Sequence, residues 1–121
     1  MKLPNIFEKH TTPASYPAGH VIYEEGQQRD VMYVVKTGEV DLFVGGQIVE
    51  TIGQDDFFGE IALINNEPRS ATAVAKTDCT LIPITERQFL FLIQEVPFFS
   101  LMVMRTLTGR LRKRNMMFIP K

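Results

Sequence analysis

Short runs rich in β-branched and aromatic residues, each ending at a glycine or a polar turn, follow one another through residues 15–84. Such runs predict β-strands. Because the runs are short and evenly spaced, they predict a closed or nearly closed antiparallel β-barrel, that is, a jelly roll or double-stranded β-helix. The runs on which the prediction depends are HVIYEEG, DVMYVVKTG, EVDLFVGG, QIVETIG and RSATAVAKTDCTLIPI.

The hydrophobic pattern changes after Thr85, where TERQFLFLIQEV begins. Thr85 is a candidate N-cap, and Gln88 follows three positions later, as in a capping box. Pro97 breaks this pattern and suits the first turn of a second helix. We therefore predict a mainly β fold with a short N-terminal helix and two C-terminal helices over about 85–117, the last one long. All 121 residues are expected to form a single domain.

Composition and charge narrow the possible functions. The net charge is -1, which argues against bulk affinity for nucleic acid. Residues 1–60 carry 4 basic and 10 acidic residues, whereas residues 61–121 carry 9 and 4, so the second half is the basic one. The one cysteine, Cys79, is expected to be a buried strand thiol. No leader or membrane-length apolar run is present, so we expect a cytoplasmic protein without a membrane partner.

The stretch FGEIALINNEPRSATA mixes charged and apolar residues in a way that fits neither a buried strand nor a surface loop. Gly59 permits a tight turn close to a ligand. The first amides of a short helix after it, near Ile61 and Ala62, suit an anion. Pro68 forces an extended approach, so Arg69 points predictably and presents a fork that matches two phosphate oxygens.

The remaining residues of this stretch fit a sugar beside that phosphate. Ser70 and Ala71 are small and leave room for a ligand next to the chain. A phosphate would repel Glu60, so its carboxylate is expected to accept hydrogen bonds from sugar hydroxyls. The stretch therefore predicts a site for a phosphate with a ribose attached.

The same stretch resembles the phosphate-binding cassette of the cyclic nucleotide-binding domain family. The resemblance extends over nearly the whole chain, and the helical tail is similar to the helices that follow the barrel in the bacterial catabolite activator. The matching cassette residues are Gly59, Glu60, Ala62, Leu63, Pro68, Arg69 and Ala71, and the matching turn glycines are Gly19, Gly26, Gly38 and Gly53.

The resemblance implies a role for each site residue. Glu60 would bind the ribose 2′-hydroxyl, Arg69 would pair with the cyclic phosphate, and the long helix would cap the purine. Arg114 and Asn115 stand where the activator's long helix contacts the base. Either cAMP or cGMP fits, and we favour cAMP. The ligand-binding residues implied in this way are Gly59, Glu60, Ile61, Ala62, Arg69, Ser70, Ala71, Arg114 and Asn115.

Neither catalysis nor a metal site is expected. The family binds its nucleotide without consuming it, so the resemblance implies that the chain is not an enzyme. His10 and His20 lack the spacing of a metal site. No cofactor is expected besides the nucleotide ligand.

The long helix carries a second candidate feature, a coiled-coil-like seam that favours a parallel homodimer. The alternative is that the same residues pack on the chain's own barrel. A basic run, GRLRKRN, follows the middle of this helix and is either a solvated helix end or a contact for an acidic partner or nucleic acid. The seam residues are Leu101, Met104, Thr108, Leu111, Asn115 and Phe118.

Two classes of function remain open from the sequence. The first is a sensor that binds a cyclic nucleotide and regulates an unknown protein effector or its own dimerisation. The second is an interaction module that keeps the fold without binding nucleotide and docks a protein partner. The chain has no helix-turn-helix after the long helix, so we expect no direct DNA binding.

Overall fold

A computed structural model of the chain describes residues 11–28 and 31–117, with side chains described as far as residue 113. The predicted N-terminal helix lies outside these residues. The described part contains strands β1 (Ala14–Tyr16), β2 (Val21–Tyr23), β3 (Val31–Thr37), β4 (Val40–Val44), β5 (Gln47–Ile52), β6 (Phe57–Phe58), β7 (Thr72–Ala75) and β8 (Cys79–Thr85), and helices α1 (Glu60–Ile64), α2 (Glu86–Glu95) and α3 (Pro97–Met117).

The strands form two antiparallel sheets of four strands each, in the orders β1-β8-β3-β6 and β2-β7-β4-β5. Strands that are distant in the sequence pair with each other, since β1 lies against β8 and β2 against β7. This pairing of early with late strands is typical of a jelly roll. The predicted mainly β fold, with two helices after the strands and the last one long, is confirmed.

The hydrophobic core draws on both sheets. Val35 and Leu81 enter it from the first sheet, and Val40 and Ile52 enter it from the second, all four fully buried. Each large apolar side chain buried in this way stabilises the fold by about 1.5–3 kcal/mol. The core therefore holds the two sheets together, and the loops at their ends can carry the site.

Cys79 is a buried free thiol, as the sequence predicts. Burial, and after it the negative charge of Asp78, raise the pKa of this thiol above its ordinary value. Gly38 packs directly against it with a φ of +87°, and a Cβ at Gly38 would collide with the Asp78 carbonyl oxygen and with Cys79. The turn between β3 and β4 therefore requires glycine, because its backbone is left-handed and its space is already filled.

The chain divides into two compact units, with the boundary between Glu86 and Arg87. In the second unit, Phe89 of α2 and Phe99 of α3 meet edge to face, with their ring centroids 5.7 Å apart. Within the described residues, no single helix is long and apolar enough to cross a membrane. α2 and α3 reach that length and composition only as a pair, which is bent by 115°. The single-domain arrangement stays a prediction.

Candidate functional site

Gly59 turns the chain from β6 into α1. Its φ is +79°, in the left-handed region that favours glycine. A Cβ at this position would lie 2.7 Å from Nη1 of Arg69 and 3.4 Å from the hydroxyl oxygen of Tyr23. Gly59 therefore allows the main chain of this turn to approach the arginine closely. The predicted short helix follows it directly.

The main chain of Arg69 is held by the turn that follows β2. The amide of Gly26 donates to the carbonyl oxygen of Arg69 at 2.8 Å, and the amide of Arg69 donates to the carbonyl oxygen of Gln27 at 2.9 Å. This pair of hydrogen bonds lies beyond the pairing of β2 with β7. The backbone of Arg69 is thus fixed independently of its side chain.

The guanidinium of Arg69 is buried, with 3% of the residue exposed. Nη1 donates to the carbonyl oxygen of Gly59 at 3.0 Å, and Nη2 donates to that of Val31 at 2.6 Å. Cζ stands 4.0 Å from the centroid of the Tyr23 ring, within the range of a cation–π interaction. The site therefore keeps a permanent positive charge below the surface, in one defined orientation.

Glu60 supplies a second buried charge and is 7% exposed. It is the first residue of α1, where the helix dipole favours a negative group. Since Arg69 bonds to Gly59, the residue immediately before Glu60, the structure brings the predicted ribose-binding carboxylate and the predicted phosphate-binding guanidinium to the same turn.

The other predicted site residues differ from one another in how deeply they are buried. Ala62 is buried in α1, whereas Ile61 is half-buried. Ser70 is exposed beside Arg69, and Ala71 belongs to the hydrophobic core between the sheets. For Arg114 and Asn115 only the main chain, in α3 of the second unit, is described, so their predicted contacts with the base stay predictions.

Sequence reasoning missed the aromatic group that surrounds the guanidinium. The Tyr23 ring lies 6.3 Å from the Tyr33 ring and 5.9 Å from the Phe58 ring, between centroids, and the last two rings are stacked at 5.3 Å. The run VIY is apolar at all three positions, so its pattern alone does not single out Tyr23 as the inward-facing residue. Nor could it have shown that Tyr23 faces Arg69, because the contact joins two distant segments of the chain.

The described residues include no group of three or more His, Cys, Asp and Glu side chains that could hold a metal ion. The charged groups of the site are instead one guanidinium and one carboxylate. Together they suit an anionic ligand that also carries hydroxyl groups.

Known proteins are similar to this chain in sequence. Residues 13–96 match the family model of the cyclic nucleotide-binding domain. A cAMP-dependent protein kinase regulatory subunit from Eremothecium gossypii is 46% identical over 63 residues, which are 52% of this chain and 14% of that protein. The match thus spans only a small part of the relative's length.

Solved structures share the fold as well. The catabolite activator protein of Thermus thermophilus superposes with a TM-score of 0.81 and 29% identity, over 93% of this chain and 55% of that one. A protein of a cyclic-GMP-dependent signalling pathway that regulates bacterial phytopathogenesis superposes with a TM-score of 0.75 and 27% identity, over 88% of this chain and 89% of that one.

The family match runs from before β1 to just after α2, and so it includes both sheets together with Gly59, Glu60 and Arg69. It covers more than half of the chain. The chain therefore belongs to the cyclic nucleotide-binding domain family.

Proposed function

We propose that the chain is a regulatory sensor module that binds a cyclic nucleotide, cAMP in preference to cGMP, without changing it chemically. The observation that carries the proposal is the buried guanidinium of Arg69 against the Gly59 turn, next to buried Glu60. A cyclic nucleotide presents one phosphate charge and one ribose hydroxyl, which match these two groups.

The guanidinium of Arg69 would pair with the cyclic phosphate from the position in which the carbonyls of Gly59 and Val31 hold it. The amides of Ile61 and Ala62 would add hydrogen bonds to the phosphate at the start of α1. Glu60 would accept from the ribose 2′-hydroxyl, and Ser70 and Ala71 would leave room beside the ligand.

Some observations favour cAMP as the ligand, and others favour cGMP. The matching kinase regulatory subunit is cAMP-dependent, and its identity of 46% favours cAMP. A structural neighbour acts in a cyclic-GMP-dependent pathway, and the exposed hydroxyl of Ser70 beside Arg69 is a group that could bind guanine. We favour cAMP on the sequence match and expect measurable binding of cGMP.

The output of the sensor is proposed to run through α3, as a homodimer contact or a surface for a protein effector. Apolar side chains of the predicted seam support this, since Leu101, Met104 and Leu111 are all exposed. Arg114 and Asn115 would reach the base from the same helix. A cytoplasmic location belongs to the same proposal.

A second candidate function, a protein-docking module that does not bind nucleotide, is favoured by the same exposed apolar side chains. Isothermal titration calorimetry of the full chain with cAMP and with cGMP separates the two candidates. We expect saturable binding of both nucleotides, tighter for cAMP. If neither nucleotide at millimolar concentration produces heat or raises the melting temperature, the sensor proposal is wrong and the docking module is favoured.

A further inference from the structure

We infer that Tyr23 is a positioning residue of this site, whose ring holds the Arg69 guanidinium in the orientation that receives the phosphate. The inference rests on the proposed nucleotide binding. The guanidinium lies over the face of the Tyr23 ring, and its two terminal nitrogens donate to the carbonyl oxygens of Gly59 and Val31.

The contact has the geometry of a strong cation–π pair. Cζ of Arg69 is 4.0 Å from the Tyr23 centroid, compared with 6.0 Å from the Tyr33 centroid, so Tyr23 is the ring on which the guanidinium rests. The attraction between a cation and a ring face is greatest where water is excluded. Both residues are buried, with Arg69 3% and Tyr23 6% exposed.

The ring itself has little freedom to move. Tyr23 ends strand β2 and stands opposite Ala73 of β7. Its ring packs against Tyr33 of β3 and Phe58 of β6, which are stacked on each other. Contacts from three strands therefore hold the Tyr23 ring in place, and the ring in turn limits the rotamers of the long arginine side chain.

This restriction prepares the site before the nucleotide arrives. An arginine that is mobile in the free protein must be ordered when it binds, and ordering one long side chain weakens affinity by about 3- to 10-fold. With Tyr23 in place that ordering has already occurred. Tyr23 thus raises nucleotide affinity through Arg69 and needs no contact with the ligand.

The test compares Tyr23→Leu, which removes the ring, with Tyr23→Phe, which keeps it, using cAMP as the probe in calorimetry. We expect Tyr23→Leu to weaken cAMP binding by about 3- to 10-fold. Tyr23→Phe should lose clearly less. Tyr16→Leu is the matched control, since Tyr16 is a partly buried tyrosine that packs against the core, and its ring contacts His20. It should lower the melting temperature without changing the affinity for cAMP.

A second readout needs no ligand. The ring current of Tyr23 should shift the NMR signals of the Arg69 Cδ protons upfield in the wild type and in Tyr23→Phe, and the shift should vanish in Tyr23→Leu. If Tyr23→Leu does not fold, Tyr23→Met takes its place, because a methionine side chain fills the same gap without an aromatic face.

The outcomes separate this inference from the proposal on which it rests. A wild type that binds neither cAMP nor cGMP defeats the proposed function, whatever the NMR signals show. A wild type that binds cAMP, together with a Tyr23→Leu that binds it equally well, overturns the positioning role. Equal losses of affinity in Tyr23→Leu and Tyr23→Phe also overturn it, because they would assign the effect to the hydroxyl group.

Discussion

Arg69 is held by contacts within the folded protein and is also proposed to bind the phosphate. A loss of stability in an Arg69 variant therefore does not by itself report on nucleotide binding. The carbonyls of Gly59 and Val31 and the ring of Tyr23 offset part of the cost of burying the charge of Arg69. Removing it leaves two buried carbonyls without these donors, so the protein is expected to lose stability of about 1–3 kcal/mol even without nucleotide. The effect of a ligand on the melting temperature is therefore the decisive measurement.

We predict that Arg69→Ala strongly weakens nucleotide binding. Losing one member of a buried charge pair costs about 2–5 kcal/mol, or roughly 30-fold to several thousand-fold in affinity. Arg69→Lys should recover only part of this loss, because an ammonium group lacks the planar fork. Calorimetry with cAMP measures both values.

Thermal unfolding gives the control for this prediction. cAMP at about 100 times its dissociation constant should raise the wild-type melting temperature by on the order of 10 °C, since it adds ~2.7 kcal/mol. Arg87→Ala, the same change at an exposed arginine, should keep the full rise. Arg69→Ala should show almost none. A full rise in Arg69→Ala would remove Arg69 from the site.

At the scale of elements, the sequence predicted what depends on local pattern and missed what depends on distant contacts. The runs DVMYVVKTG and EVDLFVGG became β3 and β4, because β-branched and aromatic content and the following glycines act within one segment. The two-residue β6 is too short to leave such a pattern. The contact of Arg69 with Val31 spans 38 positions, so it follows from strand pairing in three dimensions and leaves no local signal.

The turn between β3 and β4 provides a test of how tightly these elements meet. We predict that Gly38→Ala destabilises the fold by about 2–4 kcal/mol, as measured by urea denaturation. About 1–2 kcal/mol arises from the left-handed backbone at φ +87°, and the remainder arises from the collision of the new Cβ with Cys79 and the Asp78 carbonyl.

Gly46→Ala is the matched control, because Gly46 has a similar φ of +80° but nothing within 4 Å of the added Cβ. It should show the backbone cost of about 1–2 kcal/mol alone. The two variants therefore differ by the collision. Equal losses of stability in Gly38→Ala and Gly46→Ala would show that the close packing of the Gly38 turn on β8 does not contribute to the stability of the fold.

On the scale of the whole molecule, the buried charges of the candidate site and the proposed output lie in different units of the chain. Gly59, Glu60 and Arg69 belong to the first unit, and α3 belongs to the second. A ligand regulates a distant segment only if it binds two arrangements of that segment with different affinities. By reciprocity, an output segment that responds to the nucleotide must also contribute to nucleotide affinity.

This reciprocity leads to a prediction for the end of α3. A chain that stops after Gly109 loses Leu111, which is exposed on the proposed seam, together with the basic run and Asn115. We predict that the truncation has two effects at once: it weakens cAMP binding, and it shifts the protein from dimer towards monomer. Calorimetry measures the first effect and sedimentation velocity, with and without cAMP, measures the second.

The matched variant keeps the full length of α3 and removes only exposed charge, by Arg112→Gln with Lys113→Gln. If the apolar seam and the polar residue at Asn115 couple the helix to the ligand, this variant should bind cAMP and assemble as the wild type does. If it reproduces the losses of the truncated chain, the basic run is the coupling element, and the seam is not. If the truncated chain binds cAMP with unchanged affinity, α3 has no capping role, because a helix that closes over the base cannot be shortened without loss of binding energy.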